Sequence, residues 1–267
     1  MIEVENLRQV IGRTYVALMG NLRDFAPRVP PVRVARLLSL VGSETQLANW
    51  ISECQQPDGG WADVDETVWC TRALLTAGGF EVQVQRAINW LRTMRNEAGG
   101  WGLSNRDGPR IITTSLIATM LPVFRDRKAV EWLSYAWKKD LDESVRLTYK
   151  GGFALTALSA CGAECPDGNL VTSTVHYLHG EQNDDGGFGP WKGHPIGSDP
   201  WSTGIVLVGL TSWPDKADPE VIERAADWLC RTQLESGLWP YHFIDEGSAY
   251  AYWGLSKALE YFRGRAG

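Results

Sequence analysis

The sequence has no run of about 18 uninterrupted apolar residues and no dense cluster of lysine and arginine. The first absence argues against a transmembrane helix, and the second, with a net charge of -6, against a nucleic-acid-binding surface. The N-terminal residues 1–6 are acidic and polar, unlike a secretory signal. Five cysteines, an odd number, argue against a disulfide framework. We therefore expect a cytoplasmic protein with reduced thiols and no nucleic-acid partner.

The composition is that of a folded globular chain, with one exception. Hydrophobic residues make up 44% of the 267 positions and charged residues 22%, which excludes a wholly disordered or coiled-coil protein. The exception is tryptophan, which occurs 13 times, several-fold more often than in an ordinary domain. We therefore searched for a repeat that places these residues.

The tryptophans fall in register, which indicates an internal repeat. Each copy reads as aromatic, aliphatic, three residues of any kind, Gln, three more residues, Gly, any residue and a second aromatic. The four copies are Trp50 to Trp61, Trp90 to Trp101, Tyr177 to Phe188 and Trp228 to Trp239. Arg95 replaces Gln in the second copy, and a degenerate copy at 128–133 lacks the glycines.

An apolar stretch with helical character follows each glycine turn and ends in a small residue followed by Leu or Met. Aligning these endings predicts one column near the start of each stretch, formed by Thr67, Thr113, Gly151, Thr203 and Ser248. Although Gly151, Gly152 and Phe153 look like a glycine turn, this alignment places them inside a helix. Each repeat is therefore expected to be an outer helix, a glycine turn and an apolar inner helix.

Two further helical stretches, 1–25 and 32–41, are separated by prolines and supply a sixth pair without the pattern. Six hairpins with mostly apolar inner helices bury that surface best by closing on themselves. The predicted fold is all-α, a single (α/α)6 barrel over 1–267. It has an N-terminal helical pair in 1–42 and five hairpin repeats in 43–267, the third of them degenerate.

The repeat resembles the motif of the squalene-hopene and oxidosqualene cyclases, and the resemblance spans nearly the whole chain after residue 49. It implies the α/α toroid of that family. The same toroid also serves the β subunits of protein prenyltransferases and complement-like thioester domains, so the resemblance implies a fold more strongly than an activity. Cyclases of this family place their cavity between two such domains, whereas this chain has the length of one.

An acidic cluster directly follows the first glycine turn. Asp63, Asp65, Glu66 and Thr67 resemble the Asp-x-Asp-Asp-Thr motif of class II terpene cyclases, with Glu66 in place of the last Asp. The resemblance implies that Asp65 protonates a double bond or an epoxide, without cofactor or metal. Such an acid must stay protonated near neutral pH, and Asp63 and Glu66 would assist because neighbouring negative charge raises a carboxyl pKa.

The same residues also have the pattern of a helix N-terminus. Asp63 and Glu66 form a capping box, and Asp65 in the first turn suits the helix dipole. Asp199 matches Asp63 in a later repeat, which favours a shared cap. Asp65 has no such counterpart, which favours a special role for it.

Equivalent positions on the other inner helices carry different chemistry, with Ile111, Tyr149, Trp201 and Glu246 in the place of Asp65. We expect these residues to form a ring at one end of the barrel, where aromatic faces stabilise a carbocation and exclude water. The predicted substrate-contacting residues are Trp201, Tyr149, Glu246, Trp69, Tyr250 and Phe153.

No metal site is expected. The prenyltransferase zinc pattern requires a cysteine where Asp65 stands. The order of Cys161, Cys165, His176 and His179 resembles a Cys2His2 site, but the first two residues fall at a helix end and in a loop.

Two functions follow from these patterns. The first is a terpene cyclase-like enzyme that binds an isoprenoid or terpenoid small molecule in the barrel and protonates it through Asp65. The second is a noncatalytic repeat domain that binds a protein or lipid partner, in which the acidic cluster only caps a helix.

Overall fold

The computed structural model describes residues 3–143, 146–162 and 168–265. These ranges form twelve α-helices that alternate between an outer and an inner layer, confirming the all-α prediction. The outer helices are α1 (Val4–Phe25), α3 (Thr45–Glu53), α5 (Glu81–Thr93), α7 (Arg127–Asp142), α9 (Gly168–Glu181) and α11 (Pro219–Thr232). The inner helices are α2 (Pro31–Leu40), α4 (Val64–Ala77), α6 (Ile111–Met120), α8 (Thr148–Ala160), α10 (Pro200–Thr211) and α12 (Ile244–Arg265).

The inner helices close into a ring. Each contacts the next in the order α2, α4, α6, α8, α10 and α12, and α12 returns to α2. Every residue of α10 from 202 to 210 is buried, whereas the outer helix α11 buries one stripe that includes Ile222, Ala225 and Leu229. A helix that is apolar on all sides must be surrounded by other elements, so the ring and its outer layer follow from the residue pattern.

Glycines let three inner helices approach backbone to backbone. A β-carbon at Gly254 would lie 2.7 Å from the carbonyl oxygen of Gly204, and one at Gly209 would lie 2.7 Å from that of Gly152. These distances are too short for any side chain, so glycine is required where α8, α10 and α12 meet. Gly152 belongs to α8, as the sequence alignment predicted, and does not form a turn.

The glutamine of the repeat joins one hairpin to the next. Gln182 Nε2 donates to the carbonyl oxygen of Gly186 in its own turn (2.8 Å) and to that of Val221 in the following outer helix (2.9 Å). Gln55 makes the same pair of bonds, to Gly59 (2.8 Å) and to Gln83 (2.9 Å). One amide thus ties a glycine turn to the first turn of the next outer helix.

The first tryptophan of a repeat packs on the glycine turn of the preceding one. Trp90 Nε1 donates to Asp58 Oδ2 (3.0 Å), and Trp228 Nε1 donates to Asp185 Oδ2 (3.0 Å). A β-carbon at Gly60 would meet the Trp90 ring, which explains why the turn needs glycine there. The abundance of tryptophan therefore reflects contacts between repeats.

The predicted register of α6 is wrong by one residue. Thr67, Thr203 and Ser248 each accept a hydrogen bond from the backbone N–H of the aromatic residue that ends the preceding glycine turn. In α6 the hydroxyl that does this is Thr114, which accepts from Trp101 at 2.9 Å, and not Thr113. Ile112 therefore takes the place predicted for Ile111 in the ring. Because Thr113 and Thr114 are adjacent and chemically identical, the sequence pattern did not distinguish the two registers.

Gln233 closes the ring between the last repeat and the N-terminal helix. Its Nε2 donates to the carbonyl oxygens of Gly237 (3.0 Å) and Val10 (3.1 Å) and to Thr14 Oγ1 (2.9 Å). Arg13 in turn donates to Gln233 Oε1. Residues more than 200 positions apart are joined by this one side chain.

We expect Gln233→Ala to lower the free energy of unfolding by about 1–3 kcal/mol, because it leaves partly buried acceptors without a donor. Urea denaturation monitored by tryptophan fluorescence measures the change. Gln85→Ala is the matched control, since the Gln85 amide bonds only the exposed Asn89 side chain on its own helix. Equal effects of the two substitutions would contradict a closing role for Gln233.

Candidate active site

The inner helices begin at one end of the barrel, which we call the mouth. The pairs Tyr149–Trp201 and Gly152–Ile205 advance in the same sense along α8 and α10, so these helices are parallel. Four of the predicted ring residues lie within the first turn of their helices: Asp65, Tyr149, Trp201 and Glu246. Ring closure thus brings together side chains that the sequence separates by up to 181 positions, from Asp65 to Glu246.

The three carboxylates of the acidic cluster have different surroundings. The backbone N–H of Glu66 donates to Asp63 Oδ1 (2.8 Å), so Asp63 caps α4. The buried Glu66 reaches the preceding inner helix, α2, where its Oε1 accepts from the backbone N–H of Val32 (3.3 Å). Asp65 Oδ1 is buried without a hydrogen-bond partner in the described structure. Of the three, Asp65 alone has a carboxyl oxygen in that condition.

Burial makes Asp65 a weaker acid than an ordinary aspartic acid. Loss of solvent raises the pKa of its carboxyl from 3.8 to about 6, and the charge of Asp63 adds to the rise. The Thr113 hydroxyl and the charges of Arg36 and Arg110 oppose it. The helix N-terminus also favours an anion, so burial outweighs several stabilising groups. Burial also raises the pKa of Glu66, against the opposing hydrogen bond from Val32.

The five predicted aromatic residues form one connected cluster. The Trp201 ring contacts those of Tyr149, Phe153 and Tyr250, with centroid distances of 4.9, 5.9 and 5.4 Å. Tyr250 contacts Phe153 at 6.0 Å and Trp69 at 6.4 Å. Since α4, α8 and α12 are alternate members of the ring, rings that meet from these helices cross the barrel interior.

The cluster has an upper and a lower layer. Trp69, Phe153 and Tyr250 are only 2%, 2% and 3% exposed, so they fill the interior and form a floor. Tyr149 and Trp201 are partly exposed above them. Of these five rings, those of Tyr149 and Trp201 therefore remain accessible at the mouth.

Two pockets open at the mouth. One of about 540 Å³ is lined by residues that include Tyr149, Asp199, Trp201, Tyr241 and His242. The other, of about 580 Å³, is lined by residues that include Asp65, Arg110, Thr113, Asp140 and Lys150. Asp199 caps α10 by accepting from the Ser202 backbone N–H at 2.8 Å, as predicted for a shared cap.

Sequence analysis missed Arg36 of α2. Its Nη1 lies 3.1 Å from Glu246 Oε1, and its Cζ lies 5.7 Å from the centroid of the Trp69 ring. Helix α2 carries no copy of the repeat pattern, so nothing in the sequence aligned it with the other inner helices. The charged residues on this helix were the only available signal.

The described ranges contain no group of three or more His, Cys, Asp or Glu residues arranged to hold a metal ion. His179 Nε2 accepts from the backbone N–H of Asp218 (3.3 Å). Cys165, a member of the Cys2His2 order considered above, lies outside the described residues. Among the helices of the described ranges, none combines the length and apolar character needed to cross a membrane.

The sequence profile of the squalene-hopene cyclase C-terminal domain matches residues 63–250. Among curated proteins, the squalene-hopene cyclase of Zymomonas mobilis is 26% identical over 252 residues, which cover 72% of this chain and 38% of the relative. The chain thus spans well under half the length of that relative.

Solved structures share the fold. The type II terpene cyclase MstE from Scytonema superposes with a TM-score of 0.77 at 18% identity, covering 97% of this chain and 100% of that one. A point variant of MstE has been solved with geranylgeranyl dihydroxybenzoate, its substrate, bound (TM-score 0.74, 17% identity, covering 96% of this chain and 99% of that one). A family 88 glycosyl hydrolase from Bacteroides vulgatus also matches (TM-score 0.64, 10% identity, covering 97% and 100%). At these identities the likeness is one of fold.

We expect Asp65→Asn to stabilise the protein at pH 8 by up to about 3 kcal/mol. The folded-state pKa of about 6 exceeds the ordinary 3.8, so the stability that protonated Asp65 contributes is present below pH 3.8. It is lost as the pH rises through 6, whereas Asn stays neutral. The difference should therefore be absent near pH 3.8, grow up to about pH 6 and stay constant above it.

Urea denaturation over this pH range measures the effect. Asp184→Asn is the control for losing one negative charge, since the Asp184 side chain is fully exposed. Destabilisation by Asp65→Asn at pH 8 would show that Thr113, Arg36 and Arg110 stabilise the carboxylate by more than its burial costs, contrary to a pKa of about 6.

Proposed function

Because the chain belongs to the squalene-hopene cyclase C-terminal domain family, we propose that it is a class II terpene cyclase that protonates a terpenoid or prenylated small molecule through Asp65. The observation that carries the proposal is the state of this carboxyl. Asp63 and Glu66 each hold a helix N-terminus, while Asp65 keeps a buried oxygen without a partner and a pKa of about 6. A carboxyl in that state is available to a substrate.

The proposed reaction starts with proton transfer from Asp65 to one carbon of a double bond. The π electrons form the new C–H bond, and the adjacent carbon becomes a cation. Other double bonds of the same substrate then attack the cation in turn and close the rings. The last cation loses a proton to water and forms a double bond, so the product is an isomer of the substrate. Asp65 is left as a carboxylate and regains its proton from water.

Aromatic rings protect the cation. Trp201 and Tyr149 line the mouth pocket of about 540 Å³ on the α8–α10 side, and Phe153 and Tyr250 support them from below. The faces of such rings attract positive charge without donating an electron pair that would end the cyclisation. The buried floor excludes water from the same region.

The size of the chain is compatible with a one-barrel enzyme. Although the chain covers only 38% of the Zymomonas relative, it covers the whole of the solved MstE chain, which is described as a type II terpene cyclase. That protein binds a geranylgeranyl group attached to an aromatic acid. A prenylated substrate of this class is therefore the first to test.

We expect Asp65→Asn to reduce cyclisation by about 10²- to 10⁴-fold, the usual contribution of a general acid. Purified protein is incubated with squalene, oxidosqualene, geranylgeranyl diphosphate and geranylgeranyl dihydroxybenzoate, and the products are identified by mass spectrometry. Asp140→Asn is the matched control, because Asp140 lines the same pocket but pairs with Lys150 at 2.5 Å. Folded wild-type protein that makes no product from any of these substrates would contradict the proposal and favour the noncatalytic binding domain.

Trp201→Leu keeps apolar bulk at the mouth but removes the π face. We expect it to lower kcat about 10-fold, since a cation–π contact in a desolvated site is worth roughly 1–2 kcal/mol. Trp191→Leu serves as control, because that side chain is 44% exposed on a mouth loop. A rise in KM with kcat unchanged would show that Trp201 contributes binding surface and not cation stabilisation.

A further inference from the structure

One arginine stands between two carboxylates at the mouth. Helix α2, which carries Arg36, lies in the ring between α4, which carries Asp65, and α12, which carries Glu246, and the charge of Arg36 acts on Asp65. Among the residues that the structure describes, Glu246 is the ion-pair partner of Arg36, through Nη1 at 3.1 Å. Its Nε is buried without a hydrogen-bond partner in the described ranges, as is Asp65 Oδ1.

The spacing of the neighbouring residues places Arg36 close to Asp65. Asp65 and Trp69 are one turn apart on the same face of α4, and the Arg36 guanidinium rests on the Trp69 ring. Glu246 and Tyr250 have the same spacing on α12, and Tyr250 contacts Trp69 edge to face. The two faces therefore oppose each other with Arg36 beside both.

We propose that Glu246 is a positioning residue that holds the Arg36 guanidinium and so keeps Asp65 free of an ion pair. The inference rests on the proposed role of Asp65 as the acid. An Asp65–Arg36 ion pair would hold the carboxyl in its charged form, which has no proton to give. Arg36 is 13% and Glu246 21% exposed, so water screens their pairing little.

Other charged groups near Asp65 have partners of their own or lie farther out. Asp63 caps α4, and Glu66 accepts from the α2 backbone. At the start of α6, Arg110 pairs with Asp107 at 2.7 Å.

The remaining charges of this pocket lie on α7 and α8. Lys150 pairs with Asp140 at 2.5 Å, and the exposed Lys139 is 3.8 Å from Glu143. On α12, Tyr250 interacts with the charges of Arg36, Glu246 and Asp65. Arg36 and Glu246 thus form the pair whose rearrangement would change Asp65 most directly.

The test is a carboxyl ¹³C NMR titration of Asp65, assigned by the loss of its signal in Asp65→Asn. Glu246→Gln should lower the titration midpoint by about 1–3 pH units, because Arg36 is released to pair with Asp65. Arg36→Met should raise the midpoint. Glu260→Gln, which removes an exposed carboxylate of the same helix paired with Lys257, should leave it unchanged.

The double variant Arg36→Met/Glu246→Gln separates positioning from a direct charge effect. If Glu246 acts through Arg36, the downward shift disappears in the Arg36→Met background. A midpoint that Glu246→Gln leaves unchanged, or lowers equally with and without Arg36, overturns the proposal. Urea denaturation verifies that each variant is folded.

This titration needs no substrate, so its result is separate from that of the product analysis. Should cyclisation also be observed, Glu246→Gln is expected to move the pH profile of kcat to lower pH, and a purely structural role would not do so. If the titration midpoint shifts but no cyclisation is found, Glu246 still controls Asp65 through Arg36, and only the proposed role of Asp65 as the catalytic acid is contradicted.

Discussion

Closure of the inner ring is the constraint on which the rest of the molecule depends. A helix such as α10, buried along 202–210, has no stable exposed face, so each hairpin requires a neighbour on both sides. The repeats supply this contact from one hairpin to the next, and the bonds of Gln233 to α1 supply it where the chain returns to its start. The functional geometry is a consequence of that closure, because it collects the beginnings of the inner helices at one mouth.

Helix beginnings have unpaired N–H groups and the positive end of the helix dipole, so carboxylates are expected there for structural reasons alone. Two carboxylates of the acidic cluster have such a structural role. Asp63 caps its own helix, and Glu66 bonds the neighbouring one. Asp65 stands in the same favourable field, yet burial raises its pKa to about 6. This residue makes the cluster more than a set of caps, because the fold holds its carboxyl in an environment that favours the proton.

The floor of aromatic side chains limits where chemistry can occur. Trp69, Phe153 and Tyr250 meet across the interior and are almost entirely buried, while the glycines of α8, α10 and α12 bring the helix backbones together beside them. The upper layer, formed by Tyr149 and Trp201, lines one mouth pocket, and charged residues around Asp65 line the other. These are the two kinds of group that the proposed carbocation reaction uses.

Reading the repeat was sufficient to predict the helical pairs, the identity of the inner helices and the exceptional position of Asp65. It works because the Trp and Gln contacts join adjacent repeats at a constant spacing, as in Gln182 to Val221. Contacts that do not recur at that spacing could not be predicted from the repeat. The register of α6 depends on a bond from the Trp101 backbone to Thr114, and the adjacent Thr113 is chemically identical, so the residue pattern does not reveal which threonine accepts it. Three features arise only when the ring closes: the place of Arg36 between α4 and α12, the separate partners of the three carboxylates and the filling of the barrel interior. Closure is decisive because it alone sets the distances between helices that are far apart in the chain.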